Sequence, residues 1–82
     1  MNVSSIKLLV DKYSIKELEE AEAALMNEGT LQIDVEGVDE GEQMTHILAA
    51  IFCKQEMAKA SQDLNINQAI RLYSQRVRNS IN

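Results

Sequence analysis

An 82-residue chain with one cysteine, no proline, no tryptophan and a formal charge of −5 cannot close an internal disulfide and carries no paired-cysteine metal motif. At this length it holds a single helical domain, 1–82, that buries only about 60% of the surface its unfolded form exposes, and nothing covalent supplements the core. The apolar share of 45% and charged share of 26% are those of an ordinary globular protein.

The first predicted element is a short helix over about residues 3–12, in which Ile6, Leu9, Val10 and Tyr13 share one face. Ser14 followed by Glu17 is a capping-box pattern, and it opens a second helix over about 15–28 with Ile15, Leu18, Ala21 and Leu25 inward. Glu17, Glu19, Glu20 and Glu22 crowd its first half, where the helix dipole favours acids, and Gly29 supplies the stop. Over 30–38, apolar Leu31, Ile33 and Val35 alternate with polar neighbours, the period of an extended segment with one buried face. A lone strand cannot satisfy its own backbone. The segment therefore either drapes over the helices with its backbone in water, the favoured form, or pairs with the same segment of a second copy.

The third helix opens at Asp39, with Glu42 completing a cap signature, and runs to about Ser61. Its expected inner stripe is Met44, Ile47, Leu48, Ile51, Phe52, Gln55 and Ala58, while Ala49, Ala50 and Cys53 leave almost no polar face over 47–53. A helix that is apolar all round is buried all round, so this element is the hub of the fold or of a dimer. The small Ala49 and Ala50 allow another helix to come close. After a turn over 61–65, Asn65 caps a fourth helix with Gln68 at the box position, and Ile66, Ala69, Ile70, Tyr73, Val77 and Ile81 form one stripe. The fold class is all-α: a small bundle of three main helices plus a short N-terminal one, with an extended segment before the third.

Lys7 and Asp11 interrupt any signal-peptide core near the N-terminus, and the longest apolar run, 47–53, is far short of the roughly 20 residues that span a bilayer. A cytoplasmic protein with no membrane partner is expected, and a lone cysteine suits a reducing compartment. Residues 1–42 hold 11 acids and 3 bases, and residues 43–82 hold 5 bases and 2 acids. The acidic half argues against nucleic acid as a partner, since phosphate contacts need a positive surface. The opposed halves also suit antiparallel self-association, although solvated helix faces are the favoured account of them, since exposed ion pairs contribute little.

No catalytic group and no cofactor site is expected. His46, the one histidine, stands four residues after Glu42 with Asp39 and Glu36 upstream, so Glu42 and His46 are the weak candidates for a metal. Their spacing matches neither the Glu-x-x-His of di-iron bundles nor the two-histidine helix of zinc proteases. The plainer expectation is cap acids plus a histidine salt-linked to Glu42. Cys53 lies in the most apolar stretch, where a thiol is buried filler rather than a nucleophile.

Asp39-Glu-Gly-Glu-Gln-Met-Thr-His-Ile-Leu-Ala-Ala-Ile51, the stretch 69–81 with its Arg76-Val-Arg-Asn-Ser-Ile81 ending, and the Ile6-Lys7 opening resemble a family of short bacterial proteins of unknown function. The resemblance implies a small helical protein and no activity. Apolar surface in excess over 47–53 and 66–81 points to a non-catalytic interaction or adaptor module acting as a homodimer, with an unidentified protein partner. Its expected contact residues are Ile47, Ile51, Phe52, Ile66, Ile70, Tyr73 and Val77. Two alternatives stand beside it: a metal- or ligand-dependent enzyme centred on Glu42 and His46, and a DNA-binding regulator using Arg71, Arg76 and Arg78.

Overall fold

The computed structural model describes residues 2–59 and 63–81, with side chains through Arg78. Its helices are α1 (Val3–Lys12), α2 (Ile15–Glu28), α3 (Glu40–Ala58) and α4 (Ile66–Ile81). The start of the expected turn, at Ser61 and Gln62, lies outside the described residues.

Helix ends fall where side chains satisfy the unpaired backbone groups. Asn2 caps α1, its side-chain oxygen accepting the Ser5 N–H at 3.3 Å. Ser14 and Glu17 bond reciprocally at 2.9 and 3.1 Å, which holds the Glu17 carboxyl below its ordinary range. Asn65 and Gln68 do the same at 3.0 and 2.9 Å. Gly29 closes α2 at φ 68°, with its own N–H on the Leu25 carbonyl and the Thr30 N–H on the Ala24 carbonyl. Asp39 accepts the Glu42 N–H at 2.8 Å, while the Glu42 carboxylate reaches past the cap to the Val38 N–H at 3.2 Å. α3 stops at Ala58 rather than near Ser61, because Lys59 turns extended with its N–H on the Glu56 carbonyl and its ammonium 2.5 Å from the Glu56 carboxylate.

α3 is the hub: it packs against α1, α2 and α4, and these three contacts carry the packing between helices. Two bonds set the direction of α1. Asn2 meets His46 and Val10 meets Lys54, both pairs 44 residues apart, so α1 and α3 run parallel in constant register. Gly29 at the end of α2 lies beside Glu40 at the start of α3, which makes that pair antiparallel. α4 returns along α3 with Tyr73 beside Phe52, ring centroids 5.5 Å apart.

Burial corrects the stripe assigned to α3. Ile47 and Ile51 are buried, but Leu48, Gln55 and Ala58 are exposed and Met44 and Phe52 only half-buried. The faces turned to the other helices are instead built from Ala49, Ala50, Cys53 and the polar His46 and Glu56. On a helix apolar nearly all round, periodicity cannot choose the inner side. Close approach does so, and small residues permit it.

The 30–38 segment takes the draped form. Val35 is buried, Leu31 and Ile33 pack half-buried against the core, and Gln32, Asp34 and Glu36 face water. No strand occurs among the described residues. Gly37 lets the segment pass close over α3: a Cβ there would lie 2.8 Å from the Gln43 Cγ and 3.0 Å from the Gln43 nitrogen.

Candidate functional site

His46 is wholly buried at a three-way junction of α1, the draped segment and α3. Its Nδ1 lies 2.7 Å from the Glu36 carbonyl, and its Nε2 lies 2.9 Å from the Asn2 backbone nitrogen. A carbonyl only accepts and a backbone N–H only donates, so the ring carries its proton on Nδ1 and spends its Nε2 lone pair on Asn2. Beside it the Ser5 hydroxyl donates to the Glu36 carboxylate at 2.8 Å.

The candidate metal pair is thereby resolved into separate structural bonds. Glu42 holds the Val38 N–H, His46 joins Asn2 to Glu36, and no hydrogen bond or ion pair links the two among the described residues. The expected salt link from His46 to Glu42 does not form, because the draped backbone reaches the ring first. Among the described residues no three His, Cys, Asp or Glu side chains are grouped as metal ligands.

Two turns along α3, the Lys54 ammonium donates to the Val10 carbonyl at 3.0 Å. That carbonyl would ordinarily receive the Ser14 N–H, which serves the Glu17 carboxylate instead. Lys54 thus caps the end of α1. Neither Asn2 nor this lysine cap was read from the sequence. Asn followed three residues later by Ser is a weak capping signal, and a lysine on a carbonyl 44 residues away leaves no sequence pattern.

Cys53 is fully buried, and loss of water pushes its thiol up to about 11. Burial, with the neighbouring Cys53 as a lesser cause, also raises the Tyr73 hydroxyl. A thiol held protonated in this way packs the α3–α4 contact beside Tyr73.

Two surface features stand open among the described residues. One is a cleft between α1 and the draped segment, lined by Ser5, Leu8, Leu9, Lys12, Tyr13, Asp34 and Glu36. The other is the uncovered side of α3. Ile47, Ile51 and Ile70, three of the expected contact residues, are buried in the chain's own core. Phe52, Ile66 and Tyr73 are half-buried and Val77 is 41% exposed, with Leu48 beside them at 39%. Because Tyr73 sits by Phe52 on antiparallel helices, Val77 comes level with Leu48 one turn on. Leu48, Phe52, Tyr73 and Val77 are thus partly exposed apolar residues at neighbouring heights on α3 and α4, and the Arg76 guanidinium lies 5.2 Å over the Phe52 ring.

Over residues 1–82 the chain matches the family of unknown function DUF6952, and it belongs to that family. The resemblance drawn from 39–51 and 69–81 is borne out in that respect. No curated protein and no solved structure matches the chain. No helix among the described residues is long and apolar enough to cross a membrane.

Proposed function

We propose that this chain is a small cytosolic interaction module, non-catalytic, that acts as a homodimer through the stripe of Leu48, Phe52, Tyr73 and Val77. The stripe is the observation that carries the proposal. The apolar excess of 47–53 is largely absorbed inside one chain, where five of those seven residues are buried. What is left over on α3 is Leu48 and Phe52, one turn apart with Tyr73 against Phe52, and neighbouring exposed apolar side chains support a contact surface. The two residue types most often chemically active in small proteins support the non-catalytic part. His46 has both nitrogens committed to backbone groups, and the Cys53 thiol is buried and protonated.

Light scattering over a concentration series tests the proposal. The expected result is a mass that rises from one chain toward two, and a Leu48→Glu chain that keeps its helix content and stays at one. A wild-type mass of a single chain at about 500 µM, where contacts as weak as about 1 mM Kd already populate a dimer, overturns it.

A further inference from the structure

We infer that His46 is an acid-operated latch on α1: a proton taken on Nε2 undoes the bond to Asn2 and releases the first turn of that helix, while the draped segment stays attached through Nδ1. The two sides of the ring are unequal. Nδ1 carries the hydrogen and donates to the Glu36 carbonyl at 2.7 Å, a bond that the imidazolium keeps. Nε2 accepts the Asn2 N–H at 2.9 Å with its single lone pair. A proton from solvent that joins this lone pair turns Nε2 into a donor and sets two N–H groups against each other. They cannot stay at hydrogen-bonding distance. The ring is wholly buried and Asn2 is exposed, so the bond opens toward water on the α1 side.

Asn2 is where the start of α1 is gathered. Its side chain accepts the Ser5 N–H at 3.3 Å, and its carbonyl accepts the Ile6 N–H at 3.2 Å. Its own N–H ties that cap to α3. Loss of the tie is a local event, because Lys54 on the Val10 carbonyl holds the far end of the same helix.

No carboxylate is in place to hold the imidazolium. From the draped segment, the Glu36 carboxylate takes the Ser5 hydroxyl at 2.8 Å and Asp34 is exposed. From α3, Glu42 is held on the Val38 N–H and Asp39 on the Glu42 N–H. From α1, residues Asn2 to Ile6 carry no titratable side chain. None of these acids is hydrogen-bonded or ion-paired with the ring among the described residues.

The sign follows from which form can bind the proton. A free imidazole takes one near pH 6.5, roughly. The latch is therefore whole above that pH and weakens as pH falls through it, since a released ring binds the proton that the latched Nε2 cannot. Between about pH 7.5 and about pH 5.0, proton binding favours a freed imidazole by about thirtyfold, which is the ceiling on the effect.

The test compares wild type with His46→Gln, whose side-chain amide can still accept the Asn2 N–H but takes no proton in this range. Urea titrations at the two pH values are expected to show the wild-type unfolding constant rising about five- to thirtyfold on acidification, and that of the variant changing less than about twofold. The carboxylates, Glu17 among them, are common to both chains, so the difference belongs to His46. Amide NMR of the wild type over the same interval gives the location, and it stands whether or not the variant folds. The amides of Asn2, Ser5 and Ile6 are expected to move together, while those of Val38 and Gln43 hold still. Equal losses of stability in the two chains overturn the latch. So do Asn2, Ser5 and Ile6 amides that stay in place down to about pH 5.0, whatever the ring itself does.

Discussion

His46→Phe separates what the buried histidine does by bonding from what it does by filling space. The phenyl ring keeps the volume and loses both bonds, so the Glu36 carbonyl and the Asn2 N–H lose the partners seen at 2.7 and 2.9 Å. A buried group left unpaired costs about 1–3 kcal/mol. Asn2 is exposed and its N–H can turn to water, and the Glu36 carbonyl is only part-buried, which brings the sum to about 1–3 kcal/mol. His46→Ala adds the cavity of a fully buried ring and reaches about 4–5 kcal/mol. A domain of this length has about 4–12 kcal/mol in all, so the alanine variant approaches the limit of folding. Melting temperatures fall by roughly 4–8 °C per kcal/mol at this size, placing the Phe variant about 4–24 °C below wild type. Urea titration followed by circular dichroism measures both. A Phe variant within about 0.5 kcal/mol of wild type refutes the reasoning, because the two bonds then contribute nothing net.

Gly37→Ala places a methyl against the Gln43 backbone, and an overpacking cost of about 1–3 kcal/mol in a denaturant titration is expected; a neutral outcome means the segment can lift away freely. Lys54→Met keeps the apolar stem but leaves the Val10 carbonyl without its cap, for an expected loss of about 1–2 kcal/mol, with amide exchange in the last turn of α1 rising first. Cys53 gives a pH signature. Its folded thiol titrates at about 11 against 9.0 for the free group, so the stability it contributes is whole below pH 9.0 and is lost as pH rises through about 11. Tyr73 is shifted in the same direction, and Cys53→Ala isolates the cysteine share: stability of that variant declines less over this interval. A native chain whose thiol reacts with a disulfide reagent at pH 8 as fast as the unfolded chain contradicts the burial.

α1 was legible from the spacing of its apolar face, and the starts of α2, α3 and α4 and the stop of α2 because those ends are written in short-range chemistry. Ser14 with Glu17, Asp39 with Glu42, Asn65 with Gln68 and Gly29 all act within six residues of themselves, and each does so in the fold. The period-two alternation of Leu31, Ile33 and Val35 also survived, since an extended chain on an apolar surface has one side to bury. The facing of α3 was not legible. Hydrophobicity weighted the large Leu48 and Phe52 toward the core, whereas packing chose the alanines and the cysteine, and left the larger residues on the rim. The role of His46 was hidden for a different reason. Its partners are backbone groups, one of them 44 residues away, and backbone groups have no sequence identity to read.

The uncovered side of α3 as the contact surface is tested most directly by amide NMR spectra recorded on dilution from about 1 mM to about 20 µM, a range that empties a dimer of moderate affinity. Resonances of Leu48, Phe52, Tyr73 and Val77 and their neighbours on α3 and α4 are expected to move together, while those of α1 hold still. Spectra that superimpose across the series, or shifts centred on Leu8 and Lys12 beside the α1 cleft, would contradict it.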